Sequence, residues 1–531
     1  MASLASSSLL PLLFFARVSG FIVAALVISW AILFKSSFLP RSSSREGLIY
    51  AVLHPLLMVI GFILISGEAI LVHSWLPGPR SLKKSVHLCL QGVALASGIF
   101  GIWTKFQGED GIVANFFSLH SWMGLTCICL FAAQWLMGFM SFWHRGEMRA
   151  VRVKVLPWHI FLGLYTYGLA VATAETGLLE KLTFLQANRN LSKRSPESMV
   201  VNSLGLSLAL LSGMVIFAAV SPKSHNLQSK LLYTESSSKP EDNRTNETRH
   251  ERVKEKQKRR ALAASCSRSE GSLTLVGSPP VRSPDSERKY RIAAPVVGFP
   301  MIIASVRVIG LAVSALVLTW AFHCRGGLSL FSHNKDLIFN VHPVLLVIGL
   351  ILLNGEAMLA YRTLSGTKSF RKLVHLTIQS LAFGLSAIGV WAAYKFHNEK
   401  GIDNFYSLHS WLGLACLFLF AIQWAAGFSM FWYPGGSISS RASLLPWHLF
   451  FGIYTYALAV GTACTGILEK ATFLQTNHVI SRYSTEAVLL NLLGMLIVVL
   501  GGCVILAVVT SMNGKGKAYI PLEYTMQHPS V

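Results

Sequence analysis

Twelve apolar runs, each long enough to cross a hydrocarbon layer, alternate with polar turns along this 531-residue chain. A bilayer core of about 30 Å needs roughly 20 helical residues. Backbone that faces lipid must find its hydrogen bonds within its own segment, so helices are expected throughout. The runs lie near 14–34, 48–73, 85–106, 117–143, 155–179, 200–221, 299–322, 336–361, 373–396, 406–433, 444–467 and 485–511. With 53% hydrophobic and 13% charged residues, the composition agrees with an all-α polytopic membrane protein. The opening stretch, MASLASSSLLPLLFFARVSG, has no basic n-region, and its apolar run continues past Arg17 to Phe34. It reads as the first span and not as a cleaved signal.

The runs fall into two matched sets. At an offset of 288 or 289, HPLLMVIGFILISGEA aligns with HPVLLVIGLILLNGEA, QWLMGF with QWAAGF, and LPWHIFLGLYTYGLAV with LPWHLFFGIYTYALAV. This is a tandem duplication of a six-helix unit. Six crossings return the chain to its starting side, so two parallel six-helix bundles are expected. The units are 1–221 and 299–513, joined by a basic linker over 222–298 whose composition reads as disordered, with a tail at 514–531. A join of two neighbouring coding regions is the simplest rival account of the duplication; it predicts an immunoblot species near half of 58.2 kDa.

The net charge of +22 comes from 46 Lys and Arg against 24 Asp and Glu. These cations sit in loops and the linker, with no folded basic domain, so they read as a topology signal and nucleic acid is not an expected partner. Counting the linker and tail, the excess lies on the side holding both termini, which is expected to be cytosolic. The cysteines show no paired CxxC and read as small buried hydrophobes.

Each unit carries four histidines in or at the edge of apolar runs: His54, His87, His120 and His159, then His342, His375, His409 and His448. The gaps are 33, 33 and 39 residues in the first set and 33, 34 and 39 in the second. Histidine is costly within a bilayer, so a repeated quartet calls for a buried partner, and heme iron takes imidazoles in pairs. Threading the chain through six crossings gives each histidine a depth. His54 and His120 open spans entered from the non-cytosolic side, and His87 and His159 open spans entered from the cytosol. The expected pairs are therefore His54 with His120, His87 with His159, His342 with His409, and His375 with His448. Two axial imidazoles block oxygen binding and favour electron transfer, and two stations roughly 15–20 Å apart along the normal would make a relay. A zinc site would want ligands converging at one depth.

Basic residues precede the cytosolic-side histidines at equal distances in both copies. Arg80, Lys83 and Lys84 match Lys368, Arg371 and Lys372, and Arg152 matches Arg441. Together they read as an anion funnel suited to an acidic reductant, or as positive-inside charge that also contacts heme propionates.

The quartet, the SLHSW and PWH motifs, KGIDNFYSLHSW and TGILEKATFLQ resemble the cytochrome b561 family in its plant ascorbate ferrireductase form, closely over 299–511 and more loosely over 14–221. The resemblance implies two b hemes per unit, four per chain, with cytosolic ascorbate as donor. The implied acceptor on the far side is a ferric chelate or monodehydroascorbate. It implies ascorbate-site residues at Lys368 and Lys372, and at Arg80 and Lys84. A non-cytosolic substrate histidine maps onto His397, twelve residues before His409 and close to Tyr406. The first copy lacks that histidine, has Gln107 nearby, and carries Phe117 where the second has Tyr406. Glu175 stands where the second copy has Cys464 and is expected to snorkel to the interface. The implied membrane is vacuolar or endomembrane, or the plasma membrane, and the units are expected to pair as an internal dimer or a homodimer. A heme-bearing sensor or transporter without sustained turnover is the alternative reading.

Overall fold

The computed structural model describes residues 9–34, 52–106, 116–144, 149–221 and 298–510. The expected linker, apart from Gly298, the tail, and the loop carrying Gln107 lie outside these residues. The first unit contains α1 (Leu10–Leu33), α2 (Val52–Trp75), α3 (Arg80–Phe106), α4 (Leu119–Trp143), α5 (Val151–Asn188) and α6 (Pro196–Val220). The second contains α7 (Phe299–Cys324), α8 (Lys335–Thr363), α9 (Lys368–Lys400), α10 (Leu408–Phe431), α11 (Ile438–Thr476) and α12 (Thr485–Thr510).

Helices α5 and α11 run well past the ends that hydropathy sets at 179 and 467. Hydropathy falls at Glu180–Lys181 and Glu469–Lys470, yet the helix continues because neighbours receive these side chains. Ser118 Oγ donates to Glu180 at 3.3 Å, and the Lys470 ammonium lies 4.2 Å from the Phe339 ring centre. Helices α2 and α8 widen into π turns over Leu57–Leu64 and Val347–Leu353. Each π turn follows the proline that comes directly after a quartet histidine, Pro55 or Pro343. Proline removes a backbone donor and crowds the preceding turn, and such local rewinding accommodates it.

The two bundles pack through α5 and α11, flanked by α6 and α12, and the contacts are reciprocal. Tyr165 Oη donates to the Val498 carbonyl at 3.1 Å, and Tyr454 Oη to the Ala209 carbonyl at 2.9 Å. Asn202 Nδ2 donates to the Tyr406 carbonyl at 2.7 Å, and Asn491 Nδ2 to the Phe117 carbonyl at 2.8 Å. Leu119 presses onto Gly494 and Leu408 onto Gly205, where a Cβ would lie 2.5 Å from the leucine methyl in both cases. Residue i meeting j while its counterpart returns the contact is the mark of a two-fold interface. Replacing Asn202 and Asn491 together by Leu is expected to cost about 1 kcal/mol per lost interhelical bond. A thermal melt followed by far-ultraviolet circular dichroism checks this: a lower midpoint with unchanged helix content at room temperature is expected.

Glu175 does not snorkel. It is 3% exposed, because α5 continues to Asn188 and leaves residue 175 well inside the helix. Its carboxylate faces Gly461 of α11, where a Cβ would lie 3.4 Å from Oε2.

Candidate heme sites and the outer face of the second unit

The SLHSW motif is a helix start built around a histidine. Ser118 caps α4 and accepts from the Ser121 amide at 3.4 Å; Ser407 caps α10 and accepts from the Ser410 amide at 3.3 Å. The tryptophan ties the loop back, Trp122 Nε1 donating to the Phe116 carbonyl and Trp411 Nε1 to the Phe405 carbonyl, both at 3.1 Å. A capped start sets the helix register and so the place of His120 and His409 in the first turn. On the opposite face, α3 and α9 begin about two turns ahead of His87 and His375.

The structure brings the eight histidines together in four facing pairs. Ring centres are 6.3 Å apart for His54 and His120, 6.3 Å for His87 and His159, 6.0 Å for His342 and His409, and 6.5 Å for His375 and His448. A metal–imidazole bond is about 2 Å and the ring centre lies roughly 1 Å beyond the nitrogen, so two trans ligands on one ion put their ring centres about 6 Å apart. All four spacings match.

Hydrogen bonding fixes the tautomers. His54 Nδ1 donates to the Gly101 carbonyl at 2.8 Å, His87 to Ala69 at 2.8 Å and His120 to Thr173 at 2.9 Å. His342 donates to Gly389 at 3.0 Å, His375 to Ala357 at 2.8 Å and His409 to Thr462 at 3.1 Å. A carbonyl only accepts, so Nδ1 carries the proton and the Nε2 lone pair is left for a metal. The remaining two differ: the Gln134 amide lies 2.8 Å from His159 Nδ1, and the Gln423 amide 3.0 Å from His448 Nδ1. Both glutamines stand 25 residues before their histidine, inside the repeated QW motif. That spacing was a readable signal for their place beside the ring.

Glycines make room for four of the rings. A Cβ on Gly177 or Gly466 would lie 2.6 Å from Cε1 of His120 or His409, and one on Gly138 or Gly427 would lie 2.8 Å from Cε1 of His159 or His448. Among the described residues no group of three His, Cys, Asp or Glu converges as a metal cluster would need. The donor set therefore fits paired axial ligation, with each quartet spread over four helices.

Helical spacing puts Lys368, Arg371 and Lys372 on the face of α9 that leads to His375, and Arg80, Lys83 and Lys84 likewise ahead of His87. Lys372 Nζ donates to the Phe431 carbonyl at 2.8 Å and lies 5.2 Å from the Trp432 ring; Phe431 packs on His448 with ring centres 5.3 Å apart. Arg371 Nη1 donates to the Tyr361 carbonyl at 3.2 Å, and Tyr361 packs on His375 at 5.6 Å. These two cations are thus anchored beside the ring pair. Lys368 and Arg441 are exposed on the same face, as are Arg80 and Lys84 in the first unit, where Lys83 and Arg152 are half-buried.

At the other face of the second unit, His397 Nδ1 donates to the Asp403 carbonyl at 3.1 Å. Tyr406 is 8% exposed, and burial pushes its phenol above the usual value, so the hydroxyl stays protonated. A run of rings links this corner to the His342–His409 pair: His397 to Phe396 at 5.8 Å, Phe396 to Phe339 at 5.0 Å and Phe339 to His342 at 6.1 Å.

A family profile described as eukaryotic cytochrome b561 matches twice, over residues 53–185 and 341–474, and takes in all eight histidines. The chain belongs to the cytochrome b561 family. Membership implies b-type heme, the group that the paired imidazoles fit. Each relative named below aligns over most of its own length with less than half of this chain. Transmembrane ascorbate ferrireductase 2 of Arabidopsis thaliana is 69% identical over 224 residues, which is 97% of its length but 42% of this chain. Probable transmembrane ascorbate ferrireductase 4 of the same plant is 64% identical over 229 residues, 93% of its length and 43% of this chain. Ascorbate-specific transmembrane electron transporter 2 of Zea mays is 42% identical over 216 residues, 91% of its length and 40% of this chain.

Proposed function

We propose that this cytochrome b561 carries electrons across a membrane, from ascorbate at the face where α3, α5, α9 and α11 begin, to a ferric chelate or monodehydroascorbate at the other. The face receiving ascorbate is the cytosolic one, with both termini and the linker. Four imidazole pairs, two in each unit and drawn from opposite faces, are the observation that carries this reading. Each pair would hold one heme b, four per chain, and the heme supplies a one-electron couple that protein side chains lack. The names of the ferrireductase and electron-transporter relatives support the donor and the reaction class.

The protein's own contribution is attraction, positioning and insulation. Lys368 and Arg441, with Arg80, Lys84 and Arg152 in the first unit, draw the ascorbate anion to the face. Arg371 and Lys372, held on carbonyls beside the aromatic rings that flank His375 and His448, give that anion a fixed bank of positive charge. Carbonyl and amide partners hold the imidazoles still, and apolar packing around them keeps water out.

Proteoliposomes loaded with ascorbate should reduce external ferricyanide through many turnovers. A burst that stops once the hemes are reduced would favour a sensor instead. Lys368→Glu together with Arg441→Glu should raise the ascorbate KM about tenfold, which is about 1.4 kcal/mol of lost anion binding. Its check is the initial rate of heme reduction against ascorbate concentration.

A further inference from the structure

We propose that the outer acceptor site of the second unit is completed by the first unit, through Lys193 in the turn between α5 and α6. The inference rests on the reading of the His397 and Tyr406 corner as the acceptor site, and adds to it a binding residue from the other copy.

Lys193 Nζ lies 4.5 Å from the centre of the Tyr406 ring and 3.8 Å from Asp403 Oδ2. Tyr406 is held from the same side by Asn202, whose amide donates to its carbonyl at 2.7 Å. Asp403 in turn accepts at its carbonyl from His397 Nδ1 at 3.1 Å, so Lys193, Asp403, Tyr406 and His397 form one contiguous cluster. His397 is half-buried and also meets the Asn404 side chain, so its imidazole edge is the part of the cluster that can meet a ligand, while Tyr406 is buried and holds Lys193 through its ring. Two carboxylates lie near Lys193: Glu469, buried beside Tyr406 and hydrogen-bonded to Ser407, and Asp403, whose contact is long and half-exposed and so is the one an incoming anion can replace.

The reciprocal contact separates scaffold from site. Arg482, in the corresponding turn of the second unit, lies 4.6 Å from the centre of the Phe117 ring. A cation over an aromatic therefore clamps each turn onto the other bundle, whatever else is nearby. Phe117 has no hydroxyl, and the 107–115 loop that matches the segment carrying His397 and Asp403 lies outside the described residues. Among the described residues of these two turns, only Lys193 sits over an aromatic that also borders polar groups able to meet a ligand. The chemistry it suits is a small anion, such as an anionic ferric chelate, that accepts one electron while Lys193 only holds it.

The test uses the full chain in proteoliposomes with ascorbate inside, and two external acceptors of opposite charge, ferricyanide and hexaammineruthenium(III). Each takes one electron and no proton. Lys193→Glu should raise the ferricyanide KM about tenfold and leave or lower that for the ruthenium cation, with heme content and the rate of heme reduction by ascorbate unchanged. Lys193→Arg should restore the ferricyanide KM to within twofold, and Arg482→Glu should leave it within twofold. If His397→Ala raises the ferricyanide KM while Lys193→Glu does not, the contribution of the first unit is wrong and the acceptor corner stands. If neither variant moves it, the acceptor corner itself is misplaced. Equal effects of Lys193→Glu and Arg482→Glu would reduce the effect to general surface charge and overturn the proposal. Should Lys193→Glu lose heme, Lys193→Gln reads the same loss of charge.

Discussion

Replacing His375 by Ala should lower the heme content from the proposed four to three per chain, read by pyridine hemochrome against protein mass. An iron held by one imidazole in place of two, in a slot shaped for both, loses half its protein ligands. His448→Ala should give the same content, and combining it with His375→Ala should remove nothing more, if the two rings, whose centres are 6.5 Å apart, hold the one proposed heme. Combining His375→Ala with His409→Ala should instead leave two hemes, since His409 faces His342 in a different pair. Non-additivity within a pair and additivity between pairs is the signature of shared ligation. A content of four in the His375→Ala, His448→Ala double variant would end the ligand assignment.

Gly466→Val should have an effect nearly as large without touching a ligand. A Cβ there meets three atoms of the His409 ring, at 2.6, 3.0 and 3.1 Å. The ring cannot swing aside cheaply, because its Nδ1 is tied to the Thr462 carbonyl at 3.1 Å and lies 3.3 Å from Thr465 Oγ1. Overpacking of this kind costs about 1–3 kcal/mol, so heme at the outer pair of the second unit should be held tenfold to a hundredfold less tightly. The rate of heme loss to an acceptor apoprotein reads this directly. Gly384→Ala is the control, since nothing lies within 4 Å of its Cβ, and it should leave the loss rate unchanged. Equal loss rates for the two variants would show that the glycine does not make room for the ring.

The histidine ladder was legible because a bilayer leaves polar groups few places to be. Alternate crossings assign depth, and depth pairs His54 with His120 and His87 with His159 before any contact is known. The spans were legible for the same reason, but their ends were not. Hydropathy stops α5 at Glu180, whereas the helix continues for as long as a neighbour such as Ser118 receives the carboxylate. Glu175 was misjudged through that boundary: placed near an end it would reach for water, and placed mid-helix it is buried against α11. The carbonyl acceptors of the imidazoles carry no side-chain signature, so sequence could not name Gly101 or Thr173. Nothing in the sequence singles out Lys193, because the ring it lies over belongs to the other copy.

The reciprocal seam between the bundles has a consequence for how this molecule can change. Two separate identical subunits must accept every alteration twice, so an acid on the axis would face its own duplicate. Here one polypeptide supplies both sides, and Glu175 opposes glycine while Cys464 occupies the matching position. Dilution cannot part the halves, and mass action no longer sets how often the turn bearing Lys193 meets its counterpart ring. One half is thereby free to specialise while the other keeps it company.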